Sequence, residues 1–181
     1  MEPMTMNFKD IFHMLIDFFE QEKIDYALIG AFALKAYGYN RATQDVDIVT
    51  HSRFQDSVVA KLESIGFETI YRSSGYSNHV HPLRGMGRID FVYVQGSTAD
   101  RLFQNTRNLL VLGDIRLPVV SPEHLVALKV FAMKNNPQRS LREMADIQYL
   151  LKLPGVNVEE IRDIFKKYGL MDKYHELVKE K

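Results

Sequence analysis

Three aspartates lie inside strongly apolar segments of this chain. Asp45 and Asp47 alternate with valine and isoleucine in the segment 45–48, and Asp90 lies within the apolar run 89–94. Burying a carboxylate in such a strand is costly unless the carboxylate is paired or binds a cation. Each segment must therefore place its acidic side chains on one face of a sheet and its apolar side chains on the other.

Side chains alternate along a strand, so Asp45 and Asp47 share a face and lie about 6–7 Å apart, given a rise of about 3.3 Å per residue. Asp90 likewise faces away from the apolar side of its own strand. If the two strands pair, the three carboxylates converge into an oxygen cage suited to Mg²⁺ or Mn²⁺. Taken alone, an Asp-x-Asp pair is equally typical of a solvated sheet edge, and that alternative stays open.

A junction of strand, glycine and helix precedes the acidic pair. Residues 26–29 (Tyr-Ala-Leu-Ile) predict a short buried strand that ends at Gly30, and residues 31–37 have a helical composition as far as Gly38. Glycine at such a junction lets the backbone approach a phosphate, toward which the first N–H groups of the helix point. A tight turn that packs a helix on a sheet explains a lone glycine too, but the acidic pair that follows favours a phosphate site.

In this order, Gly30, Asp45, Asp47 and Asp90 resemble the pattern of the polymerase-beta-like nucleotidyltransferase superfamily. The subgroup that the chain most resembles is the bacterial minimal and abortive-infection-type (toxin-like) nucleotidyltransferases. Its Arg-x-Thr-x-Asp-apolar-Asp pattern is similar to residues 41–47, Arg-Ala-Thr-Gln-Asp-Val-Asp.

The resemblance extends to the C-terminal part of the chain. Residues 121–129, Ser-Pro-Glu-His-Leu-Val-Ala-Leu-Lys, resemble the subgroup's lysine-bearing helix, and residues 142–146 are similar to its Arg-Asp-x-x-Asp segment. Two positions depart from the pattern. Ala31 stands where glycine or serine is usual and offers no hydroxyl to a phosphate, and Glu143 stands where aspartate is usual.

The resemblance implies a metal-dependent nucleotidyltransferase that moves a nucleoside monophosphate from an NTP to a hydroxyl and releases pyrophosphate. Asp45, Asp47 and Asp90 are then both the catalytic residues and the ligands of Mg²⁺ or Mn²⁺, with two ions expected. The implied nucleotide-binding residues are Gly30, Ala31, Arg41, Thr43 and Lys129. For three of these the residues also support simpler interpretations: Arg41 is a solvated loop charge, Thr43 shapes the turn into the strand, and Lys129 extends from an apolar helical stripe to solvent.

By the same resemblance, the acceptor is a protein side chain, a tRNA end or a small molecule such as an aminoglycoside. Kinship also suggests a toxin of a toxin–antitoxin pair, with an antitoxin protein as partner. The alternative function is a catalytically weak nucleotide-binding regulatory or interaction module on the same fold, which Ala31 favours. A two-metal nuclease is a more distant third hypothesis.

Composition narrows these choices further. The chain has 181 residues, a formal net charge of zero and no cysteine, which excludes disulfides, thiolate zinc sites and cysteine nucleophiles. A net charge of zero argues against general binding of long nucleic acid, which needs a basic surface. No signal peptide or membrane-spanning run is apparent, so we expect a cytoplasmic protein without membrane contact. A homodimer is expected because closed dimers are the commonest assemblies.

The expected fold class is α/β (α+β): a nucleotidyltransferase fold with a mixed central sheet flanked by helices and a C-terminal helical segment. We expect a catalytic domain over residues 1–120 and a helical region packed on it over residues 121–181. The predicted elements are a helix over 7–22, a helix from Ser52 to Gly66, strands over 67–71 and 78–83, a hairpin turn at 84–88, a hairpin over 109–120 and helices from Ser121 onward with breaks at 135–137 and 154–155. His79 and His81 are predicted to be surface residues rather than metal ligands.

Overall fold

The computed structural model describes residues 8–83 and 87–179. The first residue of the predicted N-terminal helix and most of the predicted turn at 84–88 lie outside these described residues.

Within the described residues, seven strands form one mixed sheet in the order β3-β4-β5-β2-β1-β7-β6. The pairs β2–β5 and β1–β7 are parallel, and the other pairs are antiparallel. This confirms the expected mixed α/β sheet. The strands are β1 Tyr26–Ile29, β2 Asp45–His51, β3 Glu68–Arg72, β4 Tyr76–Val80, β5 Arg88–Val94, β6 Arg107–Leu112 and β7 Ile115–Val119.

Eight α-helices occur within the described residues, together with two 3₁₀ turns at Ser52–Phe54 and Pro137–Arg139. The helices are α1 Phe8–Gln21, α2 Gly30–Ala36, α3 Gln55–Ser64, α4 Gly96–Gln104, α5 Pro122–Asn135, α6 Ser140–Leu150, α7 Val158–Lys167 and α8 Met171–Lys179. In the ranges 8–83 and 87–179, none of them has both the length and the apolar content that crossing a bilayer requires.

Alternation along β2 and β5 sorts their side chains as the sequence predicts. Val46 and Ile48 are buried on one face, as are Ile89 and Phe91, whereas the three aspartates are partly exposed. The helix α1 packs aromatic side chains against the buried face, where the rings of Phe19 and Phe91 lie 6.3 Å apart. Burial of this face leaves the opposite face of the sheet to carry the carboxylates.

The chain divides into two compact units, residues 1–120 and residues 121–181. The first unit contains the sheet with α1 to α4. The second unit contains α5 to α8, and α5 begins as predicted: Ser121 caps it and its hydroxyl accepts a hydrogen bond from the backbone N–H of His124. Within this unit, α5 contacts both α6 and α7.

Two sequence predictions about named residues are wrong, and one helix was not predicted. Ser52 does not cap a helix: it opens a 3₁₀ turn, and α3 follows Phe54 without a side-chain cap. His79 is not a surface residue but is fully buried, because its face of β4 is covered by the core. The helix α4 was not predicted, since its Gly-Ser-Thr start has low helix propensity.

Candidate active site

The central feature of the candidate site is the pairing of β2 with β5. Asp47 and Asp90 are register partners across this parallel pair, and neighbouring strands lie about 4.8 Å apart. Asp45 precedes Asp47 by two residues and therefore shares its face. The strand pairing thus brings all three predicted carboxylates to adjacent positions on one face of the sheet.

Gly30 approaches the same carboxylates from β1. Its φ angle is +65°, and a Cβ atom added to it would lie 2.1 Å from Oδ2 of Asp47. Any side chain at this position would therefore overlap the Asp47 carboxylate. The next residue, Ala31, begins the buried side of α2, and among the described residues no side chain caps this helix.

The loop before β2 fixes the position of Asp45. The Thr43 hydroxyl accepts a hydrogen bond from the Asp45 backbone N–H at 3.1 Å and donates one to the Asp45 carbonyl at 3.0 Å. Thr43 thereby shapes the turn that leads into the strand. Arg41, two residues earlier, is partly buried in the same loop.

A cation of the chain contacts one of the three carboxylates. Nε of Arg88 donates a hydrogen bond of 2.6 Å to Oδ1 of Asp90, and Arg88 is the register partner of Asp45. The pKa of Arg88 is raised above its ordinary value, chiefly by this hydrogen bond and further by the charges of Asp90, Asp45 and Asp47. All three carboxylates therefore act electrostatically on one guanidinium group.

The chemistry of these donors fits a hard divalent cation, because three partly exposed carboxylates share one sheet face. As the side chains stand, no three His, Asp or Glu residues of the described chain are grouped closely enough to hold a metal ion. One oxygen of Asp90 is occupied by Arg88. A cation held by all three aspartates must either displace Arg88 from Asp90 or share the Asp90 carboxylate with Arg88.

Lys129 lies in the second unit, where its ammonium group is almost completely buried. It donates to Oε2 of Glu143 at 2.9 Å and to Oδ2 of Asp146 at 2.5 Å. Arg139 reaches the other oxygen of Glu143 at 2.8 Å. The lysine thus joins α5 to α6 through two buried carboxylates.

Arg88 is the residue of this region that the sequence reasoning missed, because residues 84–88 were interpreted as a turn. The alternation of side chains along a strand could have identified it, because Arg88 precedes Asp90 by two residues and so lies on the same face. Its backbone is also fixed, since Arg88 N–H donates to the carbonyl of Gln44. A Cβ on Gly87 would lie 2.9 Å from that same carbonyl oxygen.

Comparison with known proteins gives one family match and several structural matches. The model of a family described as "Nucleotidyl transferase AbiEii toxin, Type IV TA system" matches residues 13–179. No curated protein is a significant match for the sequence.

Solved structures share the fold at low identity. The solution structure of the antibiotic-resistance factor ANT(2'')-Ia is 10% identical, with a TM-score of 0.69 over 94% of this chain and 99% of that chain. An antigenic nucleotidyltransferase-like protein from Paracoccidioides brasiliensis is 18% identical, with a TM-score of 0.58 over 94% and 90%. The lincosamide antibiotic adenylyltransferase LnuA, solved with lincomycin, is 18% identical, with a TM-score of 0.54 over 80% and 96%.

Proposed function

The chain belongs to the AbiEii family of nucleotidyltransferase toxins, and on this basis we propose that it transfers a nucleoside monophosphate from an NTP to a hydroxyl group and releases pyrophosphate. The observation that carries this proposal is the register pairing of Asp47 with Asp90. With Asp45 on the same face, this pairing supplies the carboxylates that such a reaction needs next to the Gly30 junction.

Asp45 and Asp47 are proposed to hold two Mg²⁺ or Mn²⁺ ions, and Asp90 is proposed to share one of them. When bound, the ions neutralise the charge of the phosphates and polarise the reacting oxygens. Asp90 would accept the proton of the acceptor hydroxyl. The chain itself contributes mainly positioning and charge, as expected for phosphoryl-group transfer.

The sheet order suggests where each substrate lies. Gly30 follows β1 on one side of β2, and Asp90 lies on β5 on the other side. In-line displacement places the attacking and leaving oxygens on opposite sides of the phosphorus atom. We therefore place the pyrophosphate near Gly30, at the start of α2. The acceptor then approaches over β5 and β4, where Asn78 is the register partner of Asp90.

Three further residues complete the proposed nucleotide site by family resemblance. Arg41 is proposed to clamp the phosphates, and Lys129 to add positive charge to them. Thr43 is proposed to act indirectly, by positioning Asp45, because its hydroxyl is hydrogen-bonded to the backbone of Asp45. Of these roles, the one for Lys129 requires its ammonium group to be shared with Glu143 and Asp146.

The family description also supports a role as a toxin, with an antitoxin as partner. The acceptor class is open among a protein side chain, a tRNA end and a small molecule. One of the structural relatives named above, LnuA, is a lincosamide antibiotic adenylyltransferase, but at 18% identity it establishes the fold alone.

The alternative, a nucleotide-binding module without turnover, depended on Ala31. That residue is only 1% exposed, so its methyl group packs into the protein and does not face a phosphate. A missing hydroxyl at this position is therefore weak support for loss of activity.

The experiment that tests the function supplies purified protein with Mg²⁺ or Mn²⁺, each α-³²P-labelled NTP in turn, and cell lysate as the source of acceptor. Label is then measured in the protein, RNA and small-molecule fractions. We expect label in one fraction, and none with the Asp45→Asn/Asp47→Asn chain. Metal-dependent NTP binding without transfer would instead support the regulatory module, and RNA breakdown without added NTP would support the nuclease.

A further inference from the structure

Arg88 places a positive charge where a divalent cation is expected to bind. It shares the face of Asp90, it is opposite Asp45 in register, and its guanidinium group contacts Oδ1 of Asp90 at 2.6 Å. Its side chain is 40% exposed and that of Asp90 is 20% exposed, so the pair borders solvent. The three aspartates and Arg88 together carry a formal charge of −2 instead of −3.

The position of Arg88 is built into the strand. Its backbone N–H donates to the Gln44 carbonyl at 3.3 Å, directly before β2 begins. Gly87 has a φ angle of +71° and leaves no room for a side chain against that carbonyl. Since the strand direction is fixed at this point, alternation aims Arg88 at the carboxylate face and not at the core.

We propose that Arg88 is a positioning residue that holds Asp90 as its counter-ion in the metal-free chain and releases the Asp90 carboxylate when a divalent cation binds. The inference rests on the proposed function, since it assumes that the carboxylates bind metal. Two consequences follow. Arg88 limits repulsion among the aspartates before metal binds, and its charge raises the metal concentration at which the site fills.

If Arg88 and Asp90 form only an ordinary surface ion pair, different results are expected. Exposed pairs contribute little to stability, and a pair without a role in metal binding leaves metal affinity unchanged. Arg72 is a matched control for this case: its side chain is 43% exposed, it lies in the same sheet, and it pairs with Asp56. The two arginines differ in that Arg88 contacts a predicted metal ligand.

The test titrates Mn²⁺ into the full chain without nucleotide and follows the free ion by electron paramagnetic resonance. One unit charge about 6 Å from a dication in water changes affinity by about tenfold. We therefore expect Arg88→Gln to bind Mn²⁺ about tenfold more tightly than the unaltered chain at low salt, with a smaller difference at high salt. Arg88→Lys and Arg72→Gln should stay within about twofold, because the first keeps the charge and the second removes a distant one.

Two further measurements separate the possible outcomes. In EDTA, Arg88→Gln should unfold at a lower temperature than Arg88→Lys, and Mn²⁺ should abolish the difference. In the unaltered chain, the Nε–H signal of Arg88 in a ¹⁵N spectrum should shift as Mg²⁺ is added, which needs no variant to fold. Equal or weaker Mn²⁺ binding by Arg88→Gln, or an Arg88 signal that stays fixed while Asp45 and Asp47 amide signals move, would overturn the inference. If the unaltered chain binds no Mn²⁺ with or without NTP, the proposed function itself fails.

Discussion

Gly30 and Asp47 are in close contact: the Asp47 carboxylate occupies the space that a side chain on residue 30 would need. A Cβ on Gly30 would lie 2.1 Å from Oδ2, 2.6 Å from Cγ and 2.8 Å from Cβ of Asp47. The contact gives a steric reason for glycine at this junction, beside the approach of backbone to a phosphate. Gly30 allows β1 and α2 to close against the carboxylate strand.

Replacing Gly30 with alanine should therefore destabilise the chain and displace Asp47. The left-handed φ angle costs alanine about 1–2 kcal/mol, and the overlap with Asp47 adds about 1–3 kcal/mol. Urea unfolding measures the total. Gly96→Ala is the matched control, because Gly96 also begins a helix and has a φ of +59°, but a Cβ there meets nothing within 4 Å. Equal losses in the two variants would show that the contact with Asp47 is unimportant.

Thr43 should affect the site through the backbone of Asp45. Thr43→Val removes both hydrogen bonds of the hydroxyl, and we expect a loss of about 0.5–1.5 kcal/mol in the free energy of unfolding. Thr43→Ser keeps the hydroxyl. This variant should therefore retain most of the free energy of unfolding and of the transfer rate of the unaltered chain. If Thr43→Ser were as impaired as Thr43→Val, the methyl group and not the hydroxyl would be the important part.

Lys129 offers a test of whether a buried ion pair is structural, catalytic or both. Lys129→Met leaves Glu143 and Asp146 buried without the ammonium group that they share, so we expect a loss of about 3–5 kcal/mol in stability. Lys134→Met on the same helix removes an exposed lysine and should stay within about 0.5 kcal/mol of the unaltered chain.

Activity distinguishes the two roles of Lys129. If the residue also binds phosphate, its replacement raises KM for the NTP under conditions where the variant is still folded. An unchanged KM in folded Lys129→Met would restrict the lysine to joining α5 with α6.

His79 should make stability depend on pH. Burial lowers its pKa, although the charge of Asp90 opposes this, and its ring nitrogens contact the hydroxyls of Ser77 and Thr69. The unfolded chain binds a proton at the ordinary pKa of about 6.5, whereas the folded chain does not. Stability from His79 is therefore complete above about pH 6.5 and falls as the pH drops toward the lowered pKa, by at most about 1.4 kcal/mol per pH unit.

The measurement is the free energy of urea unfolding between about pH 7 and pH 5, the range over which this histidine contributes. His79→Asn should show a shallower decline than the unaltered chain. His13→Asn, which removes an exposed histidine from α1, controls for the loss of a histidine as such. Identical slopes for His79→Asn and the unaltered chain would contradict a neutral buried His79.

Local patterns predicted much of the fold, because alternation and apolar content are visible within one segment. The strand 26–29, the hairpin around residues 113–114 and the Ser121 cap all occur where the sequence placed them. The burial of His79 was not predictable in this way. Alternation gives the face of a strand, but whether that face is covered depends on helices distant in sequence.

The candidate site was predictable in its residue types but not in its contacts. The three aspartates stand out because carboxylates are rare in apolar strands. The hydrogen bond of Arg88 to Asp90 was hidden because the sequence does not reveal where a glycine-rich turn ends and a strand begins. The partners of Lys129 depend on how α5 packs against α6, which a single helix pattern does not determine.

The most direct test of the account counts the Mn²⁺ ions bound per chain in the presence of a non-hydrolysable NTP analogue, by electron paramagnetic resonance. We predict two ions for the unaltered chain, one for Asp90→Asn and none for the Asp45→Asn/Asp47→Asn chain, with all variants shown to be folded by circular dichroism. The same count in all three chains, or no bound ion in the unaltered chain, would contradict the claim that these carboxylates form the metal site.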